Sequence, residues 1–365
     1  MFKIKKQIRG LYGASVLGNL SLTGAWVAIL AARGYSLVEI GVAETVFHIT
    51  SLIFELPSGV FADVFGRKKM LIVSTILRMC SSIAMILSDN LFMVCVSIAL
   101  TALSYNFSSG TTDALAYDSL KLAGKESGFE KYCSDQLIIY RVCSGLSTLC
   151  AGFALFIGHK IAYSTDLITG IVQIAVLASL YEVYPGQSTG KRSFAETARA
   201  LVNCFAESFA FLKRARKAVL LMLCNSLVGA GDILLLFFLQ AKLPEKGIPG
   251  QALGCALLFM QLGGIVGSRL IVKFPKLSYK SVFAVAAVLV LTGVITEHSA
   301  RWQVMTLGGF LAAIGDDALQ IRTNAILQDM FPSEQRAALT SADSFTFSVV
   351  MILLTLPAGA LFTSW

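Results

Sequence analysis

Charged residues are scarce in this chain. Lys, Arg, Asp and Glu together make up 14% of its 365 residues, against about 25% in a typical soluble domain. Hydrophobic residues make up 56%, and the mean hydropathy is +0.72. Apolar runs of roughly 20 residues, the length that crosses a bilayer as a helix, recur along the whole chain. Because lipid offers no partner to a free backbone amide, such runs must be helical. The sequence therefore predicts an all-α polytopic membrane protein and excludes a soluble fold.

Residue types of catalytic and metal sites are also few. The three histidines are scattered, and the eight cysteines include no CxxC pair, so we interpret the cysteines as reduced and expect no metal and no cofactor. No nucleophile–base pair is recognisable, which argues against an enzyme. The net charge of +8 does not predict nucleic-acid binding, because the basic residues are spread over short loops. The expected partners are the lipid bilayer and a small molecule.

Eleven transmembrane spans are predicted, and the basic residues between them indicate an orientation. Every second loop is rich in Lys and Arg, and these loops share a side with the basic N-terminal segment, residues 3–9. The positive-inside rule places that side in the cytoplasm. We therefore expect a multi-pass protein of the inner (plasma) membrane with a cytoplasmic N-terminus. The predicted spans are 9–32, 37–62, 68–88, 91–119, 132–157, 161–183, 217–240, 249–273, 279–297, 302–330 and 338–363.

A polar break after the sixth span divides the spans into two groups. An amphipathic segment follows the break and begins with a capping box formed by Ser193 and Glu196. We predict an N-terminal six-helix bundle (1–185), a cytoplasmic linker with a surface helix (186–216) and a C-terminal bundle of five helices (217–365). The sequence Asp-Ala-Leu occurs at Asp113 and again at Asp317, which favours two pseudo-symmetric repeats. By this symmetry, the twelfth helix is expected to be missing.

The turn between the second and third spans reads GVFADVFGRKK, residues 59–69. Together with the helix count and the linker, it resembles the major facilitator superfamily, whose signature in this loop is G-x-x-x-D-(R/K)-x-G-R-(K/R). One signature position departs, because Val64 replaces a basic residue. The preceding ELPSG resembles the same region of bacterial drug-efflux-like members. The matching residues are Gly59, Asp63, Gly66, Arg67 and Lys68.

The resemblance implies a fold of two helix bundles that alternate access to a central cavity. It also implies that the turn is a cytoplasmic latch, which holds the halves together when the cavity opens outward. The residues supply physical reasons: Gly66 permits a tight turn, and Gly59 permits close approach to a neighbouring helix. Arg67 can pair with Asp63 or reach an adjacent helix. The alternative is a turn that only sets the membrane topology.

Ionisable residues within the second span are candidates for transport, because a charge at the bilayer centre costs about 3 kcal/mol. Glu44, His48 and Glu55 fall on one helical face. Glu44 and His48 are one turn apart, close enough to share a proton or a substrate cation. Packing alone is the alternative for this pair, and the position of Glu55 near Pro57 favours a structural role. Arg78 in the third span is expected to turn inward to a carboxylate.

Polar stripes also mark the fourth, seventh and tenth spans. The resemblance implies that the fourth and tenth helices line the central cavity. Asp232 in the seventh span has no local cation in sequence, so it is a candidate proton or cation site. We predict two symmetry-related ion pairs, Asp113–Arg141 and Arg322–Asp343, with either a structural or a gating role. The candidate coupling or substrate residues outside the second span are Asp113, Asp232, Asp316, Asp317, Gln320 and Asn324.

The leading hypothesis is a monomeric secondary active transporter that exports an amphipathic or cationic compound in exchange for protons. Acidic side chains outnumber basic ones within the spans, which favours protons or cations over anions. The glycine–proline motif of proton-driven exporters is absent from the fifth span, SGLSTLCAGFALFIG. Nutrient uptake by the same fold is the near alternative. A non-transporting receptor-like or truncated relative is the alternative of a different class, favoured by the missing twelfth helix.

Overall fold

The protein is all-helical wherever its structure is described. The computed structural model describes residues 3–183, 199, 202–203, 206, 213, 215–330 and 336–363. A short 3-10 helix at Glu126–Gly128 lies between α6 and α7. The α-helices are α1 (Ile4–Asn19), α2 (Trp26–Ala32), α3 (Leu37–Phe65), α4 (Arg67–Ile86), α5 (Leu91–Ser108), α6 (Thr111–Leu122), α7 (Phe129–Leu149), α8 (Ala151–Ile157), α9 (His159–Ala178), α10 (Arg216–Glu245), α11 (Gly250–Lys273), α12 (Tyr279–Thr296), α13 (Trp302–Met330) and α14 (Arg336–Thr363).

Ten of the eleven predicted spans coincide with helical segments of membrane length among the described residues. Among the described residues, nine helical segments are long and apolar enough to cross a membrane, and the bent pair α7–α8 makes a tenth. The first predicted span, 9–32, corresponds to α1 and α2, which have 16 and 7 residues. The fourth predicted span corresponds to α5 and α6 in succession. The prediction of an all-α polytopic membrane protein is confirmed.

Three spans are interrupted by backbone that is not helical, and the bend of 49° between α7 and α8 is one of these interruptions. α1 ends at Asn19 and α2 begins only at Trp26. α5 ends at Ser108 and α6 begins at Thr111, with Gly110 between them at φ +71°, a left-handed conformation that glycine adopts without steric cost. Each interruption creates extra helix ends whose backbone groups lack intrahelical partners. Polar groups are therefore placed inside segments that cross the membrane.

Contacts divide the chain into two units. The first unit comprises residues 1–24, 46–147 and 157–202, and the second comprises 25–45, 148–156 and 203–365. The units are therefore not two continuous halves of the chain. The predicted division into 1–185, 186–216 and 217–365 stays a prediction, and most of the linker, including its expected capping box, lies outside the described residues.

Each unit has its own apolar core. In the first unit, side chains from α1, α4, α6, α7 and α9 form a buried cluster around Leu11, Leu115 and Tyr132, all of which are at most 1% exposed. In the second unit, α13 packs against α10, α11 and α12, and Leu221, Met222 and Leu327 are buried together. These cores hold the polar groups of each unit at fixed positions.

Candidate functional site

The signature turn joins α3 to α4 and is fastened within the first unit. Gly66 forms the turn at φ +105°, a value that residues with a side chain rarely adopt. The Arg67 guanidinium donates to the Ala114 carbonyl at 2.7 Å and forms an ion pair with Asp118, both on α6. The two charged side chains are 13% and 14% exposed. Arg67 therefore reaches an adjacent helix, one of the two partners that its sequence context predicted.

A carboxylate that the sequence analysis missed completes this turn. Glu182, which follows α9, accepts hydrogen bonds from the backbone amides of Lys68 at 3.0 Å and Lys69 at 3.2 Å. These amides lie in the first turn of α4 and have no intrahelical acceptor. The Lys68 ammonium donates in return to the carbonyls of Ala178 and Leu180, at 2.8 and 2.7 Å, where α9 ends. The unpaired amides at the start of α4 and the unpaired carbonyls at the end of α9 thus both gain hydrogen-bond partners in this contact.

The other signature residues are less constrained in this structure. A Cβ built on Gly59 meets nothing within 4 Å, so the close helix approach predicted for this glycine is not observed among the described residues. The side chain of Asp63 lies outside the described residues. The contacts of Arg67 and Lys68 described above lie within one unit, and the latch between the halves stays a prediction.

The second-span candidates occupy different environments along α3. Glu44 is 8% exposed and His48 is 6% exposed, and both side chains have interaction partners. Glu55 is partly buried. One turn beyond His48, Ser51 donates to Asn106 Oδ1 at 2.8 Å, so the polar face of α3 also bonds to α5. The burial agrees with either expected role of Glu44 and His48, and their part in transport stays a prediction.

Three predicted acidic residues come together in the second unit. Asp232 lies on α10, and Asp316 and Asp317 lie on α13. The charges of Asp316 and Asp317 both act on Asp232, and those of Asp316 and Asp317 act on each other. Three ionised carboxylates in such proximity repel one another. Protonation of one of them would relieve this repulsion, whereas no group of three His, Cys, Asp or Glu side chains among the described residues is arranged to hold a metal ion.

Glycines on the facing helices make room for this acidic cluster. A Cβ built on Gly229 of α10 would lie 3.1 Å from Oδ1 of Asp316. A Cβ built on Gly264 of α11 would overlap Oδ2 of Asp317. Neither position can carry a larger side chain without displacing a carboxylate. The two aspartates are thus held against neighbouring helices rather than pointing freely away from α13.

The two ion pairs predicted from symmetry are absent from the described part of the chain, and each absence has a physical reason. Arg322 donates instead to the carbonyls of Pro275 and Phe274, at 2.9 and 2.8 Å. These carbonyls lie just beyond the end of α11, where backbone acceptors lack partners and a cation is favoured. Asp343 is partly buried, and its Oδ1 atom has no hydrogen-bond partner among the described residues.

The break in the fourth span accounts for the other pair. Because α6 begins at Thr111, Asp113 lies in its first turn, where the helix dipole stabilises a carboxylate without any cation. Arg141 on α7 is exposed. On α13, Gln320 and Asn324 are also exposed in the isolated chain, and their predicted contact with substrate stays a prediction.

A buried carboxylate at the first helix break was also missed by the sequence analysis. Asp166 on α9 is 5% exposed and accepts hydrogen bonds from Ser21 at 2.9 Å and Thr23 at 2.8 Å. These hydroxyls lie in the non-helical stretch between α1 and α2. Arg78 turns inward as predicted, but its nearest acceptor is the Gln173 side-chain oxygen at 2.6 Å, and Asp166 acts on it only electrostatically. Asp166 could have been identified from the sequence, because it is an acidic residue within the predicted sixth span.

Helices of membrane length, paired in two units and interrupted by polar breaks, define a multi-pass membrane transporter fold. The chain belongs to the Major Facilitator Superfamily, whose family model matches residues 11–355. The resemblance carried by residues 59–69 is thereby confirmed at the level of the family. Members and structural neighbours of this kind are transporters, which are not enzymes.

Known proteins similar to this chain are distant in sequence. The chain is 22% identical over 356 residues to the Uncharacterized MFS-type transporter YxaM of Bacillus subtilis (strain 168), covering 94% of this chain and 86% of that protein. The nucleoside transporter NupG superposes with a TM-score of 0.76 at 14% identity, covering 98% of this chain and 91% of that one. A D-xylose-proton symporter superposes with a TM-score of 0.64 at 12% identity, covering 96% and 87%. At such identities these likenesses show the fold alone.

Proposed function

We propose that the protein is a proton-coupled secondary active transporter whose coupling site is the acidic cluster of Asp232, Asp316 and Asp317. The single observation that carries this proposal is that Asp316 Oδ1 lies against Gly229, one helical turn from Asp232 on α10, with Asp317 next to it on α13. Their mutual repulsion is relieved when one of them takes up a proton or when a cation binds. Release of that proton restores the repulsion, which gives the site two states of different charge.

The position of the cluster supports coupling to helix movement. Asp316 lies against Gly229 of α10, and Asp317 lies against Gly264 of α11. A change in the charge of either carboxylate therefore acts directly on the packing between α13 and its two neighbours. A proton site that sits at a contact between helices can bias which arrangement of those helices is stable.

We infer efflux of an amphipathic or cationic compound as the direction and the cargo. The positive-inside distribution favours a cytoplasmic N-terminus in the inner membrane, and the ELPSG stretch, which resembles that of bacterial drug-efflux-like members, favours export. Carboxylates within the spans suit a cation that competes with protons for the same site, as an antiporter requires. Nutrient uptake remains the second candidate function, and it is favoured by the likeness to a nucleoside transporter and to a D-xylose-proton symporter.

The experiment is substrate-dependent proton movement in proteoliposomes. The purified protein is reconstituted with an internal pH dye and challenged with lipophilic cations, nucleosides and sugars. Export by antiport predicts that a cation loaded on one side drives protons in the opposite direction, whereas symport of a nucleoside or sugar drives them in the same direction. Asp232→Asn is expected to abolish substrate-dependent proton movement, because the cluster can no longer change its charge at that position.

Controls separate loss of coupling from loss of folding. Asp89→Asn removes an exposed carboxylate in the loop before α5 and is expected to leave proton movement unchanged. Glu44→Gln tests the second-span candidate in the same assay, with loss of proton movement at normal protein level expected if Glu44 takes part. Proton movement that survives Asp232→Asn, Asp316→Asn and Asp317→Asn would remove the acidic cluster from the mechanism.

A further inference from the structure

A polar cavity lies inside the first unit, away from the acidic cluster. Its volume is about 200 Å³, and α1, α4, α5, α6 and α9 contribute to its wall. Its floor and sides are rich in hydroxyl groups, and no carboxylate lines it. The hydroxyl-bearing lining residues are Ser15, Ser74, Thr75, Ser104, Ser108, Ser109 and Thr112.

Arg78 supplies the single charged group of the cavity wall. Its guanidinium donates to Gln173 Oε1 at 2.6 Å and makes one long bond, 3.4 Å, to the Gly18 carbonyl. Gln173 is fixed in turn by its own bond to the Ala14 carbonyl at 2.9 Å. An arginine has five N–H donors, so most of the Arg78 donors have no protein acceptor among the residues that the structure describes. The guanidinium is thus fixed in position and still has N–H donors that a ligand could use.

The nearest carboxylate does not neutralise Arg78 directly. Asp166 acts on Arg78 electrostatically, but no hydrogen bond joins the two side chains in the described part of the chain. The Asp166 oxygens are engaged by Ser21, Thr23 and Ser82. Asp166 is also absent from the cavity wall. The cavity therefore presents a guanidinium without an adjoining carboxylate oxygen.

The broken end of the fourth span borders the same cavity. Ser109 and Thr112, on either side of the α6 N-terminus, line it. The Asp113 carboxylate lies in the first turn of α6 and is absent from the cavity wall. Because that carboxylate already complements the partial positive charge of the helix end, Arg78 is the cationic group that a ligand would meet in the cavity.

We propose that this cavity binds a small organic carboxylate, with the carboxylate group on Arg78 and a short apolar chain among the hydroxyl-bearing helices. A guanidinium and a carboxylate match in a two-pronged geometry that a chloride ion cannot reproduce. A cavity of about 150 Å³ admits benzene, so a ligand of roughly six to eight non-hydrogen atoms fits. The site is independent of the proposed proton coupling, since none of its residues belongs to the acidic cluster.

The test is ligand-dependent stabilisation of the full chain in detergent. Thermal unfolding is followed while sodium butyrate is titrated, with butyramide as the uncharged ligand of equal size and sodium chloride at matched ionic strength. Butyrate is expected to raise the unfolding temperature in a saturable way, and butyramide and chloride are not. Arg78→Gln is expected to weaken the affinity about tenfold or more, as the loss of a charged hydrogen-bonding partner implies.

Two further variants keep the result decisive. Arg301→Gln removes an exposed arginine outside the cavity, and Asp232→Asn alters the acidic cluster; both are expected to retain butyrate binding. If Arg78→Gln does not yield folded protein, Ser109→Leu is the variant that decides the test, because it replaces a lining residue with a larger side chain and leaves Arg78 unchanged. A butyrate effect no larger than that of chloride, or one that survives in Arg78→Gln or in Ser109→Leu, would overturn the proposal.

Discussion

The signature turn yields a sharp prediction for Gly66→Ala. The glycine has φ +105° and ψ 136°, a region nearly restricted to glycine that costs other residues about 1–3 kcal/mol. A Cβ at this position would lie 2.7 Å from Oε2 and 2.8 Å from Cδ of Glu182, so the carboxylate must move away from the amides of Lys68 and Lys69. The loss of such a helix cap costs about 1 kcal/mol. The free energy of unfolding should therefore fall by about 2–4 kcal/mol.

The measurement is unfolding of the purified protein by SDS in mixed micelles, followed by circular dichroism. Gly59→Ala is the matched control, because it lies in the same signature but a Cβ there meets nothing within 4 Å. An alanine inside a helix is favoured over glycine by about 0.5–1 kcal/mol, so this variant should be as stable as the wild type or slightly more stable. Equal stability of Gly66→Ala and Gly59→Ala would refute the reasoning. Loss of transport in Gly59→Ala at full stability would instead favour the latch.

Three further predictions concern single contacts. Asp118→Asn removes the carboxylate that pairs with the partly buried Arg67 and should lower the free energy of unfolding by about 1–3 kcal/mol in the same titration; an unchanged midpoint would contradict this. Gly264→Ala places a methyl group where the Asp317 carboxylate lies, so substrate-dependent proton movement in proteoliposomes should fall, and full activity would show that the carboxylate is free to move. Arg322→Met removes the donor at the end of α11 and should cost about 1–3 kcal/mol of stability, whereas a deficit seen only in transport would point to gating.

The spans were predictable because the bilayer imposes one requirement on every residue that crosses it. Hydrocarbon excludes charge and unpaired backbone amides, so length and hydropathy alone locate the helices. The expectation that Asp232, Asp316 and Asp317 turn away from lipid followed from the same logic, since an acidic side chain in a span turns to a protein interior, but their convergence within one unit was not predicted. These features depend on composition and period, both of which are visible in sequence.

The ion pairs were not predictable because they depend on where helices end. Asp113 lies in the first turn of α6, and that N-terminus exists only because the chain breaks at Ser109 and Gly110. The polar run SSGTTD, residues 108–113, was the available signal, but the prediction of one continuous span over 91–119 passed over it. Glu182 was missed for a related reason: its partners are backbone amides at Lys68 and Lys69, and backbone groups carry no sequence signature.

The hydrogen bonds that Glu182 accepts from the amides of Lys68 and Lys69 also matter for protein engineering by exchange of segments. A chimera that takes residues 59–69 from another family member imports only half of this contact, because the other half is encoded more than a hundred positions later. The backbone amides that follow the grafted turn would then face an acceptor from a different protein, or no acceptor at all. A functional chimera should therefore need a second exchange, in which position 182 also takes the residue of the protein that supplied the loop.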